Sequence, residues 1–160
     1  MRAIVQRVKN ASVSIDGQMK GQIDKGLLIY LGITHDDTQD DADYLVRKIL
    51  GMRIFNDENA VMNLSIEDTD GEILLISQFT LYAQTRKGNR PSYVAAARPE
   101  VALPLYNYVI SQLSRNLPAQ VRSRQAGRNK PIATGTFGAD MQVASTNDGP
   151  VTIIVDSVSK

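Results

Sequence analysis

Apolar and polar residues alternate along the start of the chain and then give way to an unbroken apolar run. "MRAIVQRV" (1–8) and "ASVSID" (11–16) alternate, which predicts two half-buried strands. Gly17-Gln18 reads as a turn into a further extended piece, "MKGQI". "GLLIYLGI", Gly26 to Ile33, is continuous, as expected of a strand buried on both faces. "THDDTQDD" is a loop leading into a helix, with Thr38 suited to the N-cap and Asp40, Asp41 and Asp43 near the positive helix end. Ala42, Leu45, Ile49 and Met52 follow at helical spacing, and Gly51 with the acidic "FNDENAVMN" ends that element.

The strongest strand pattern is "GEILLISQFTLYA", Gly71 to Ala83. Period two puts Ser77 and Phe79 on one face and Gln78 and Thr80 on the other. "QTRKGNRPS" is a basic loop, and "RPEVALPLYNYVISQLSRN" a second helix with Val101, Leu105, Val109 and Leu113 on one face. Pro104 has no N–H to donate, so the helix is expected to begin near it or to hold it in the first turn. "LPAQVRSRQAGRNKP" is a basic connection, and "GADMQVAS" and "VTIIVDSV" are late strands. About seven strands and two helices that do not strictly alternate make an α+β fold. A curled or barrel-like sheet with both helices on one side is expected. No repeat or linker divides the 160 residues, which fits one domain over 1–160.

Composition narrows the chemistry. There is no cysteine, so no disulfide framework, thiolate nucleophile or Cys-based metal site is available. A His-based zinc site or a Ser-His dyad would rest on His35 alone, in a charged loop where a surface role is the simpler reading. The neighbouring acids are better explained by the helix dipole than by a divalent ion. No P-loop or dinucleotide fingerprint is present, and neither metal nor cofactor is expected. No run approaches the roughly 20 apolar residues of a membrane span, and the start lacks the apolar core of a signal peptide. These features predict a soluble cytoplasmic protein.

The net charge of +1 hides an asymmetry. Residues 1–72 carry 13 acids and 8 bases, whereas residues 73–139 carry one acid, Glu100, and nine bases. The middle of the chain suits a polyanion such as nucleic acid, or is a solvated face balanced by the acidic half. Within it, Arg86, Lys87 and Arg90 share one glycine-containing loop and could contact phosphate. The polar residues Ser77, Gln78 and Thr80 in an otherwise apolar strand either face solvent or line a pocket. In "NDGPVT" (147–152), glycine permits close approach, and a Gly149-Pro150 bond, if cis, would point two carbonyls the same way.

Together, "SQFTL" (77–81) and "NDGPVT" (147–152) resemble the two signature motifs of the D-aminoacyl-tRNA deacylases. The likeness extends to "MRAIVQRV", "TRKGNRPSY" and "TGTFGADMQV", five segments in order across essentially the whole chain. It implies a hydrolase that proofreads the 3′ end of D-aminoacyl-tRNA, working as a homodimer with active sites at the subunit interface. It implies that Ser77, Gln78, Phe79 and Thr80 line the pocket for the aminoacylated adenosine. It also implies that Gly149-Pro150 is cis and reaches into the partner's pocket, that Arg7 helps hold that loop, and that Phe137 borders the adenine. One segment departs from the family pattern: "AQVRSRQAGRNKP", with Arg122, Arg124, Arg128 and Lys130, is longer than expected. It either adds phosphate contacts or is only an extended loop.

The resemblance also implies a mechanism. The ester carbonyl is already activated, so the enzyme has to hold it, stabilise an oxyanion and choose the substrate's hand. Backbone N–H groups near Phe79 and Thr80 are candidate oxyanion donors, and the RNA 2′-hydroxyl could assist the attack. The alternatives are Thr80 as nucleophile, which has no base nearby in sequence, and a non-catalytic nucleic-acid-binding module of the same fold. A rigid Gly-Pro wall would reject L side chains and let some glycyl-tRNA through.

Overall fold

The computed structural model describes residues 1–117 and 132–159. The basic connection with Arg122, Arg124, Arg128 and Lys130 lies outside the described residues. Among the described residues eight strands and two α-helices form an α+β fold. The order is β1 (Arg2–Ile15), β2 (Gln18–Ile23), β3 (Gly26–Gly32), α1 (Gln39–Gly51), β4 (Phe55–Asn56), β5 (Met62–Leu64), β6 (Glu72–Ser77), α2 (Pro99–Asn116), β7 (Ala133–Thr134) and β8 (Gln142–Asp156).

β1 is one strand of 14 residues, not the two expected. It organises the sheet because its two halves have different partners on one edge. Arg2 to Val8 pair with β3, and Ala11 to Ile15 pair with β2. Its other edge pairs with β8 along nearly its whole length. The chain reverses after β1 at Asp16-Gly17, both with positive φ (50° and 74°), one residue earlier than Gly17-Gln18. β6 runs parallel to β3, and β7 parallel to β6, so the sheet is mixed in the order β2-β1-β3-β6-β7, with β8 on the far side of β1. Gly21 of β2 comes up against the Thr134 backbone of β7, which nearly closes the sheet into a barrel. The two late strands expected from sequence are a single 15-residue β8.

The unbroken apolar run of β3 has its reason in two cores. Leu27, Ile29 and Leu31 face the helices, while Leu28 faces the barrel interior with Val13, Leu74 and Ile76. Both helices pack on the same outer side of the sheet, α1 through Ala42, Leu45 and Ile49 and α2 through Leu105, Val109 and Leu113. Thr38 is the N-cap of α1, and the Asp41 carboxylate accepts from its N–H (2.9 Å) and its hydroxyl (3.0 Å). In α2 the first proline is Pro99, and Pro104 sits well inside the helix rather than in its first turn. Burial of Leu105, Val109 and Leu113, worth roughly 1.5–3 kcal/mol each, outweighs an interior-proline penalty of about 3 kcal/mol. Val101 lies 40% exposed, outside the apolar face assigned to it, and Ala102 takes its place. The acidic stretch after α1 forms a small β4–β5 hairpin that its composition did not announce. Among the described residues no helix is long and apolar enough to cross a membrane.

Candidate active site

β3 and β6 run side by side in parallel and end together, Leu31 opposite Ser77. A crevice beyond the carboxyl ends of parallel strands is a favoured place for ligands. Here a cleft of about 540 Å³ opens, bounded by the ends of β3 and β6, the start of α2, and residues 137–141.

β6 stops at Ser77, six residues short of the expected strand end. Gln78 still donates its N–H to the Leu31 carbonyl (2.8 Å), but its own carbonyl accepts from Leu81 N–H (3.3 Å), and Phe79–Tyr82 form a 3₁₀ turn. The predicted alternation of Gln78, Phe79 and Thr80 therefore does not hold. The turn packs closely over β3: a Cβ at Gly32 would lie 3.0 Å from Leu81 and 3.2 Å from Tyr82, so any larger residue there would press on the turn. The N–H groups of Phe79 and Thr80 open the turn and have no partner within it. The Gln78 side-chain amide donates to the Thr80 hydroxyl. Among the described residues no carboxylate or imidazole hydrogen-bonds that hydroxyl.

Arg2 fastens the turn from behind. Its Nη1 donates to the Leu81 carbonyl (3.1 Å), its guanidinium lies 5.3 Å from the Tyr82 ring centre, and its Nε donates to Asp156 (2.8 Å). Burial pushes the Tyr82 phenol above its ordinary pKa. Two aromatic pairs flank the cleft. Phe79 and Tyr93 meet edge to face, centroids 5.1 Å apart, and are 57% and 41% exposed. Phe137 lies 5.7 Å from Tyr106, whose buried hydroxyl donates to the Leu75 carbonyl (2.9 Å). Burial raises the Tyr106 pKa too, so it stays a neutral donor.

The Gly-Pro segment is a bulge in β8. Thr152 pairs opposite Gln6 and Asn147 opposite Val8, so residues 148–151 loop out across from Arg7. The Gly149-Pro150 bond is cis. Gly149 has φ 141°, and a Cβ there would lie 2.7 Å from the Val151 side chain, which reserves the position for glycine. Asn147 spans the loop: its Oδ1 accepts from Val151 N–H (2.8 Å), and its Nδ2 donates to the Val151 carbonyl (3.3 Å) and Thr152 Oγ1 (3.2 Å). Arg7, only 7% exposed, donates from Nε to the Asp148 carbonyl (3.0 Å) and pairs with its carboxylate (3.3 Å). Its Nη1 donates to the Ile54 carbonyl (2.6 Å) and to Asn56 Oδ1 (3.3 Å), tying the loop to the β4–β5 hairpin.

The cleft thus collects Ser77, Gln78, Phe79 and Phe137, with Thr80 next in the turn, but not Arg7, Gly149 or Pro150. Arg86, Lys87 and Arg90 stand on an exposed loop closed by paired hydrogen bonds between Gln84 and Ser92 (2.8 and 3.0 Å). His35 is exposed, with its Nε2 3.0 Å from the Val94 carbonyl. No cluster of three metal-ligating side chains occurs among the described residues. The pattern of the sequence did not single out Tyr93, Tyr106 or Arg2. The strut role of Asn147 could not be read either, because it depends on a register shift.

The family model described as D-Tyr-tRNA(Tyr) deacylase matches residues 4–156. D-aminoacyl-tRNA deacylases of Bacteroides thetaiotaomicron and Parabacteroides distasonis are 54% and 51% identical, each over all of this chain and 99% of the relative. Among solved structures, the c-Myc DNA Unwinding Element Binding Protein superposes with a TM-score of 0.86 at 40% identity, covering 98% of both chains. The chain belongs to the D-Tyr-tRNA(Tyr) deacylase family.

Proposed function

We propose that this protein hydrolyses the ester bond of D-aminoacyl-tRNA, releasing free D-amino acid and tRNA. The observation that carries the reading is the cleft. At one point it combines aromatic walls for a base with a 3₁₀ turn whose first N–H groups are unspent. The terminal adenosine fits between the walls, with Phe137 as a stacking face. The ester carbonyl then lies at the turn, where the Phe79 and Thr80 N–H groups stabilise the oxyanion. Thr80 has an amide for a neighbour rather than a base, which argues against a threonine nucleophile. The RNA 2′-hydroxyl, adjacent to the ester, assists the attacking water instead.

Chirality is read by the Gly149-Pro150 loop. Its carbonyls accept from the substrate ammonium, and its bulk excludes an L side chain while a D side chain points away. Glycyl-tRNA, with no side chain to exclude, is hydrolysed as well. Gly149 and Pro150 are exposed and do not line the cleft of their own chain, which supports their supply by a second copy. The working form is accordingly a homodimer with two interface sites, acting on cytoplasmic tRNA without a cofactor. Purified protein should release D-tyrosine from D-tyrosyl-tRNA and leave L-tyrosyl-tRNA intact; no release from the D-ester would refute the reading.

The 40% identical DNA-unwinding-element binder favours a second reading, a nucleic-acid-binding module without catalysis. The same assay separates the two: binding of tRNA without turnover of its D-ester would select the module.

A further inference from the structure

The substrate's ester sits at the end of a long RNA, so the RNA must leave the cleft across one of its rims. The two rims differ. One, at 137–141, carries Asp140, an exposed acid, and no cation. The other carries Phe79 and Tyr93, which meet at 73° as an aromatic corner and expose 57% and 41% of their surface. Tyr93 directly follows the loop closed by Gln84 and Ser92, and that loop bears Arg86, Lys87 and Arg90. Among the described residues none of these three cations forms an ion pair. Arg98, also exposed, lines the cleft on the same segment that leads into α2.

Large exposed rings beside unspent positive charge match the two halves of a nucleotide. Bases stack on aromatic faces whatever their identity, and phosphates seek cations. The acidic rim repels the phosphates that would have to cross it.

We propose that the Phe79–Tyr93 corner is a second base-binding subsite. It takes the nucleotide 5′ to the terminal adenosine by stacking, and the 86–90 loop holds the phosphates beyond it. The inference rests on the reading that the terminal adenosine fills the cleft. It adds that the enzyme recognises more RNA than the reacting nucleoside, through a surface tolerant of base identity.

Two probes separate these claims. The first is a D-aminoacyl adenosine in which an amide replaces the ester. The second is the same head group on the trinucleotide cytidylyl-cytidylyl-adenosine. Affinities of both are measured by titration calorimetry for the parent protein, Tyr93→Ala and Tyr93→Phe. The parent should bind the trinucleotide more tightly than the mononucleoside. Tyr93→Ala should reduce that ratio of affinities on the order of tenfold, the scale of one lost base stack, and Tyr93→Phe should preserve it. A parent ratio of one, or a ratio unchanged in Tyr93→Ala, would overturn the subsite while leaving the proposed function standing. Failure of the parent to bind the mononucleoside would overturn both.

Discussion

The turn at 78–82 and the loop at 148–151 both interrupt a strand, and they do so in opposite ways. At the turn β6 ends, and the chain coils so that N–H donors are left over at a cleft. At the loop β8 continues, and four residues bulge out between paired positions. The turn is stabilised by what lies beneath it, the bare Gly32 and the Arg2 clamp. The loop is stabilised by side chains that replace a lost ladder, Asn147 for Val151 and Arg7 for Asp148. One interruption therefore offers donors, suited to a developing negative charge, and the other offers carbonyl acceptors, suited to an ammonium. Within one chain the Gly149-Pro150 loop does not line the cleft, so the two interruptions stand apart.

The largest effect is expected from removing the 2′-hydroxyl that the proposed mechanism assigns to the attack. A tRNA ending in 2′-deoxyadenosine and charged on its 3′-hydroxyl should be hydrolysed on the order of 100-fold more slowly, the scale of a lost acid–base contribution. Thr80→Ala should meanwhile retain most of its activity on the normal substrate. Full turnover of the deoxy ester together with a dead Thr80→Ala enzyme would make the turn a source of a nucleophile instead of donors.

On the loop's side, Arg7→Ala strands a partly buried carboxylate and two backbone carbonyls. Denaturant unfolding should report a loss of about 2–3 kcal/mol, and hydrolysis of L-tyrosyl-tRNA should rise relative to the D-ester. An unchanged L/D ratio in a destabilised but folded variant would assign Arg7 to stability alone. Asn147→Ala should move the same ratio in the same direction at a smaller stability loss, about 1 kcal/mol. Unequal effects of the two on selectivity would identify which strut sets the loop's position.

The basic loop 84–92 belongs to neither interruption and should touch only affinity. Replacing Arg86, Lys87 and Arg90 by Ala should weaken tRNA binding and flatten its log-salt slope by about 2, the share of three single-strand phosphate contacts. The L/D ratio should stay as it was; a change in it would link the loop to the chirality wall.

The smallest effect concerns the pair behind the turn. Desolvation works to raise the Asp156 pKa, but the Val158 N–H and Arg2 outweigh it and hold the carboxyl below its ordinary range. A depressed carboxyl stabilises the fold above its unfolded pKa, about 3.9, and loses that contribution as pH falls through its folded value. Because the Arg2 side of the pair is 39% exposed and screened by solvent, Asp156→Asn should reduce stability at neutral pH by only about 1 kcal/mol. The gap from the parent should close in acid. A difference in melting temperature that persisted there would point to packing rather than charge.

Local rules reached α1 almost to the residue, because Thr38, the acids after it and the 3.6-residue spacing all agree. They reached β3 as a doubly buried strand for the same reason: an unbroken apolar run leaves few other fates. They failed at "SQFTL", whose alternation continues past Ser77 although the strand does not. The turn that follows packs closely over Gly32, 45 residues from Ser77 in sequence, and no window around Gln78 contains that contact. At "NDGPVT" the family resemblance implied the cis bond and the hold of Arg7, and both are present; local rules did not reach the strut role of Asn147, which depends on the register of β8 on β1.

The sequence by itself determined the elements with a single consistent period, the chemistry ruled out by missing cysteine, and the family, because motifs in a fixed order survive as strings. The tertiary structure decided where strands stop, that Arg2 and Asn147 brace the two interruptions, and which rim of the cleft carries charge and rings together. Those outcomes come from contacts between residues tens of positions apart. Their energies depend on the distance across the folded sheet, a quantity that no local pattern encodes.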